Sequence, residues 1–256
     1  MEIKLKNTNV KLLKDKKRNT TLVVIMPEYY WHKHLEINNI GSYKIKGTDT
    51  LLISYIKRKF NIVKLAKEIK KVIIKMNYKY KRIILVGKSK GGIVLQYLLK
   101  KLDERYYKRA VAVSVPYKGT IFANPKEMQR VLERKGRMGS LFFKNYIRIY
   151  EGGKPDIMIR KRSKELIEIN KNIIFNSKFE NYILKSNLKN FILDLLRLDF
   201  ESSFLFILDK YLGVNGDGIV EMKSQMIKNR KVNNIFLYGT HKSAYKKTMK
   251  IVLRDT

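Results

Sequence analysis

One stretch constrains this chain more than any other. Residues 81–99 read Lys-Arg-Ile-Ile-Leu-Val-Gly-Lys-Ser-Lys-Gly-Gly-Ile-Val-Leu-Gln-Tyr-Leu-Leu. The apolar run at 83–86 predicts a buried strand, and Gly87-Lys88-Ser89-Lys90-Gly91 predicts a sharp turn. Ile93, Val94, Leu95, Tyr97, Leu98 and Leu99 then predict a helix with wide apolar coverage. Strand, G-x-S-x-G and helix in this order form a nucleophile elbow: a serine at the tip of a strained turn, with glycines where strand and helix approach closely. Without its flanks the five-residue pattern reads first as an ordinary Gly/Ser turn.

The flanks extend the pattern. Residues 2–14 alternate apolar and polar and predict one or two edge strands. Residues 21–26 are a fully apolar strand ended by Pro27, residues 28–39 a polar and aromatic loop or short helix, and residues 50–56 a further strand. Val63, Leu65, Ala66, Ile69, Val72, Ile73 and Met76 fall on one stripe of a helix. Residues 110–115 give one more buried strand. Strands alternating with helices predict an α/β fold, a mostly parallel central sheet flanked by helices. Active sites of such sheets lie beyond the carboxyl ends of the strands. Between 121 and 205 the strand pattern lapses, and the segment reads as a helical cap insertion within one domain, 1–256. Apolar runs at 204–208 and 235–238 and a helix over 244–252 close the chain.

Composition narrows the chemistry. The chain has no cysteine, which excludes a disulfide framework and thiolate metal sites, and no cofactor-binding or metal-ligating pattern is present. The net charge of +34 is spread along nearly every segment and forms no basic-aromatic motif. It reads as compositional bias, with weak attraction to anionic membrane surfaces and no specific nucleic-acid partner. The N-terminus carries no secretion signal and no stretch is apolar enough to span a bilayer, so a cytoplasmic location is expected.

A serine hydroxyl becomes nucleophilic when a histidine accepts its proton and a carboxylate orients that histidine. The chain order for this elbow is Ser, then Asp or Glu, then His. Of the three histidines, His32 and His34 precede Ser89; His241 follows it, just past the apolar run at 235–238. His241 is therefore the candidate base. Asn215-Gly216-Asp217-Gly218-Ile219-Val220 forms a tight turn presenting Asp217, the preferred acid. An ordinary Asp-Gly turn is the alternative, and Asp194, Asp199 and Asp209 compete from helix-like or strand-like runs.

These motifs resemble the α/β-hydrolases, most of all the lipase and esterase branch. Gly87-Lys88-Ser89-Lys90-Gly91-Gly92 is similar to the Gly-His-Ser-Met-Gly-Gly elbow of that branch. Val115-Pro116-Tyr117-Lys118-Gly119-Thr120 is similar to its Thr-Pro-His-x-Gly-Thr turn, and residues 215–220 to its Asn-Asp-Gly-Val-Val acid loop. Residues 162–170 resemble a stretch of the cap, and the likeness as a whole covers 20–120 and 205–252. It implies an oxyanion hole of two backbone N–H groups, from Lys90 and from Tyr29, with Glu28 next. The family's His-Gly at this second position is replaced by Pro27-Glu28. The implied activity is hydrolysis of a small-molecule or lipid carboxylic ester by a Ser89-Asp217-His241 triad through an acyl-enzyme. A thioesterase or acyltransferase on the same triad, and a non-catalytic hydrolase fold that binds polyanions or membrane surfaces, are the alternatives.

Overall fold

The computed structural model describes residues 2–5, 8–15, 19–27, 45–55, 62–149, 163, 166–167, 171, 178–196, 200–217, 220–227, 232–239 and 249–250. Strands β1 (Glu2–Lys4), β2 (Thr8–Leu13), β3 (Thr21–Met26) and β4 (Asp49–Tyr55) precede helix α1 (Ile62–Asn77). Strand β5 (Arg82–Lys88) leads into α2 (Lys90–Leu99), and β6 (Arg109–Val113) follows. Helices α3 (Pro125–Glu133) and α4 (Arg137–Ile149), strand β7 (Phe179–Lys185), helices α5 (Leu188–Leu196), α6 (Phe200–Leu212) and α7 (Met222–Gln225), and strand β8 (Asn233–Tyr238) complete the order.

The strands form one sheet in the order β1-β2-β4-β3-β5-β6-β7-β8. The pairings β4-β3, β3-β5 and β5-β6 are parallel, whereas β1-β2 and β2-β4 are antiparallel. Parallel neighbours need a crossover, and α1 and α2 supply those into β5 and β6. A parallel centre is covered on both faces, so its strands carry unbroken apolar runs. Leu22, Val23, Val24, Ile25 and Met26 accordingly show no exposed surface. On α1 the stripe Ile62, Leu65, Ala66, Ile69, Val72, Ile73 and Met76 is buried, while Lys64, Lys67, Lys71 and Lys75 face water. All ten residues of α2 are buried.

One sequence expectation needs correction. Residues 179–185, inside the stretch read as helical, form strand β7. Residues 204–208, read as one of the closing apolar runs, lie inside helix α6. The closing helix expected over 244–252 falls outside the described residues except Met249 and Lys250, which are helical.

By contact density the chain forms two compact units. The first comprises Met1–Val115, Ile173–Asn181 and Asn229–Asn233. In it, buried Asp49 accepts hydrogen bonds from the Tyr80 hydroxyl at 2.6 Å, the Asn19 amide at 2.8 Å and the Asp15 N–H at 3.1 Å. Arg109 grips Glu180 through two parallel bonds, Nε to Oε1 at 2.5 Å and Nη2 to Oε2 at 2.6 Å, a planar fork that matches the carboxylate. The second unit comprises Pro116–Asn172, Tyr182–Lys228 and Asn234–Thr256. Its core gathers Ile121, Phe122, Met128, Leu132, Tyr146 and Leu208, and the Tyr146 hydroxyl donates to the Phe122 carbonyl. Among the described residues no helix is long and apolar enough to cross a membrane.

Candidate active site

Between the last residue of β5 and the first of α2 stands a single residue, Ser89. The chain must turn within it, and Ser89 adopts φ 50° and ψ −124°, a region that side-chain-bearing residues rarely occupy. Such a conformation costs of order 1–3 kcal/mol and persists when its surroundings over-determine it. Here the Ser89 N–H donates to the Val113 carbonyl at 2.8 Å, and the Ser89 carbonyl accepts the Gly92 N–H at 2.9 Å. Glycine is required sterically around it. A Cβ on Gly91 would stand 2.0 Å from the Met26 carbonyl oxygen, and one on Gly87 2.6 Å from the Gly92 Cα. The flanking Lys88 and Lys90 are 2% and 3% exposed, so neither belongs to the solvated lysine surface. The Lys90 N–H, expected as an oxyanion donor, opens the first turn of α2, where orphan N–H groups favour negative charge.

Among the described residues, the non-glycine positions with positive φ are Ser89, Ser114 and Asn215. Each flanks or lies within one of the three motifs singled out by sequence: the elbow, the turn after β6 and the acid loop. Strain of this kind gathers at functional sites.

Within the second unit, the acid loop and the turn after β6 are tied together. Asp217 is 1% exposed; its Oδ1 accepts the Val220 N–H at 2.8 Å. Gly216 lacks room for a side chain, since a Cβ would lie 2.1 Å from the Val220 carbonyl oxygen. Ser224 Oγ donates to the Gly119 carbonyl at 2.5 Å and accepts the Lys118 N–H at 3.2 Å. Glu221 Oε1 accepts the Ile121 N–H at 3.2 Å. Asp209 accepts the Gly216 N–H through both oxygens, at 3.0 and 3.2 Å. Burial pushes the Asp209 carboxyl up to about 6; the Gly216 N–H and Lys210 oppose this, and Asp217 and Glu221 reinforce it.

Gln225 has no exposed surface and acts as a surrogate strand residue. Its Oε1 accepts the Leu184 N–H at 2.7 Å, and its Nε2 donates to the Leu184 carbonyl at 3.1 Å and the Val220 carbonyl at 2.9 Å. Replacing it by an apolar side chain leaves buried backbone groups unpaired. We expect Gln225→Leu to lower the unfolding free energy in urea by about 2–4 kcal/mol. A change under about 0.5 kcal/mol would show that the loop does not depend on this amide.

Ser89 and Lys90 thus stand together at the elbow of the first unit, and Asp217 stands with Asp209 and Glu221 in the second. His241, Tyr29 and Glu28 lie outside the described residues, as do His32 and His34. Strand β8 ends just before His241 in sequence, and the Gly239 N–H donates to the Lys185 carbonyl at 3.0 Å. The sequence reading passes over Ser224, Gln225 and Glu221 and sets Asp209 aside, with Asp194 and Asp199, as lying in helix-like or strand-like runs. The available signal was a lone carboxylate at Asp209 directly after the apolar run at 204–208.

No family model and no curated protein matches the sequence. Solved structures do match in fold. The lipase BlEst2 of Bacillus licheniformis in its mature form aligns with a TM-score of 0.58 at 16% identity, over 95% of this chain and 95% of that one. A lipase-esterase related protein from Clostridium acetobutylicum aligns at 0.52 and 13%, over 97% and 98%. A thermostable carboxyl esterase from Bacillus coagulans aligns at 0.50 and 7%, over 100% and 98%. The chain therefore has the α/β-hydrolase fold, as the sheet order and the elbow separately indicate.

Proposed function

We propose that the chain is a serine hydrolase of carboxylic esters, similar to lipases and esterases. The observation that carries this reading is the backbone of Ser89, strained at φ 50° between a parallel strand and a fully buried helix. A turn kept in that state has an evident use when its side chain must be presented for attack. In the proposed reaction His241 takes the Ser89 proton as Oγ bonds to the ester carbonyl carbon. The carbonyl oxygen becomes an oxyanion, received by the N–H groups of Lys90 and Tyr29. The C–O bond to the alcohol breaks as His241 returns the proton to the leaving oxygen. Water, deprotonated by His241, then attacks the acyl-enzyme and releases the acid and free Ser89. Asp217 holds the imidazole tautomer and supports its positive charge.

Under the same proposal, the helices within residues 121–205, strand β7 excepted, act as a cap over an acyl pocket, and the net charge of +34 gives weak attraction to anionic surfaces. The test is covalent. A fluorophosphonate probe is expected to modify the protein once, with digestion and mass spectrometry placing the adduct on Ser89. His241→Ala is expected to lose most of that labelling. An adduct on another residue, or none where a control serine esterase labels fully, rejects the reading.

A further inference from the structure

We infer that Asp209 is a positioning residue for the reaction: through the Gly216 N–H it fixes the loop that presents Asp217, and its charge bears on Asp217. This rests on the proposed triad. Three observations carry it. Asp209 has no exposed surface, although it stands on a helix whose next residue, Lys210, faces water. Both of its oxygens converge on one N–H, that of the residue immediately before Asp217. The loop held there is itself strained, with φ 54° at Asn215. A buried carboxylate beside other carboxylates is costly to keep. A neutral side chain at this position would spare that cost, so a carboxylate here asks for a use. Among the described residues the charged groups facing it are Lys210 on its own helix, with Nζ at 3.8 Å, and Asp217 and Glu221 across the loop.

Two roles separate by substitution. Asn at 209 keeps an oxygen for the Gly216 N–H and removes the charge, whereas Ala removes both. With catalytic serines counted by phosphonate titration, we expect Asp209→Ala to lower kcat for a p-nitrophenyl ester about tenfold at pH 8 with KM nearly unchanged. We expect Asp209→Asn to recover kcat to within about threefold of wild type. Asp209 is mostly ionised at neutral pH, and a negative charge near Asp217 favours the protonated imidazole of His241. Removing it lowers the imidazole pKa, so the acid limb of kcat/KM in Asp209→Asn moves to lower pH, by about half a unit.

A third measurement is independent of turnover. The 15N-labelled Gly216 amide should titrate with the Asp209 carboxyl in wild type, and its midpoint should fall in Asp217→Asn, where one repelling charge is gone. Its titration should vanish in Asp209→Asn. Variants that lose thermal stability yet keep kcat per titrated serine and an unmoved acid limb would overturn the inference while the hydrolase reading stands. A Gly216 amide indifferent to pH would overturn it too, and would do so even if Asp209→Ala fails to fold. A wild-type protein that turns over no ester sinks the hydrolase reading and the inference together.

Discussion

Ser89→Ala is expected to cut kcat/KM for short p-nitrophenyl esters by roughly 10⁴-fold or more while the protein remains folded. The proposed mechanism sends every turnover through a bond to Ser89 Oγ, so no neighbouring group can substitute for it. The structure adds a second arm that a merely surface-exposed serine would not share. Ser89 is held at φ 50° and ψ −124°, and alanine at that position inherits the whole strain. Glycine does not, since it lacks the Cβ that makes the region unfavourable. Ser89→Gly is therefore expected to be as inactive as Ser89→Ala and about 1 kcal/mol more stable in urea, after allowing for the extra freedom of glycine in the unfolded chain. The sign of this difference is informative, because glycine ordinarily destabilises. Activity at the wild-type level in either variant would remove Ser89 from the chemistry. Equal stability of the two would show that the turn is not strained.

Gly91→Ala is expected to cost about 3 kcal/mol or more of folding stability. The methyl carbon would stand 2.0 Å from the Met26 carbonyl oxygen, 2.6 Å from the Met26 carbonyl carbon and 2.5 Å from the Pro27 carbonyl oxygen. All three are main-chain atoms at the end of the central strand β3, where no side-chain rotation gives relief. Helix α2 or the end of β3 must shift, and with it the Lys90 N–H. Activity should therefore fall along with stability, even for the molecules that remain folded. Gly136→Ala is the matched control: a Cβ there meets nothing, and its φ of +76° alone gives a cost of about 1 kcal/mol. If the two variants melt together in urea, the close approach of α2 to β3 does not exist in solution.

The central elements were legible because the parallel sheet imposes a pattern that local sequence can carry. The apolar runs at 21–26 and 83–86 reflect burial on both faces, and the stripe of α1 reflects burial on one. Strand β7 was hidden because its polar residues have partners elsewhere in the chain. Glu180 pairs with Arg109, and Asn181 is fully buried, so neither alternation nor an apolar run survives. The run at 204–208 left its secondary structure open. Leu208 is buried and Ile207 is 42% exposed on a helix that has apolar residues on more than one side, and a short apolar run does not announce its period. Of the candidate site, Ser89 could be read from its glycines, whose spacing is a steric necessity of one turn. Asp209 left only a lone carboxylate after an apolar run, and Gln225 left nothing. The role of Gln225 consists of bonds to backbone groups, and it meets Leu184 across 41 positions in sequence.

Helix α2 carries one more consequence. With all ten of its residues buried, it has little surface from which to fray. Its hydrogen-bonded main-chain amides beyond the first turn should therefore take up deuterium only when the first unit opens as a whole, and among the slowest of the described residues. Heat inactivation would then follow a single cooperative event rather than gradual loosening around the serine.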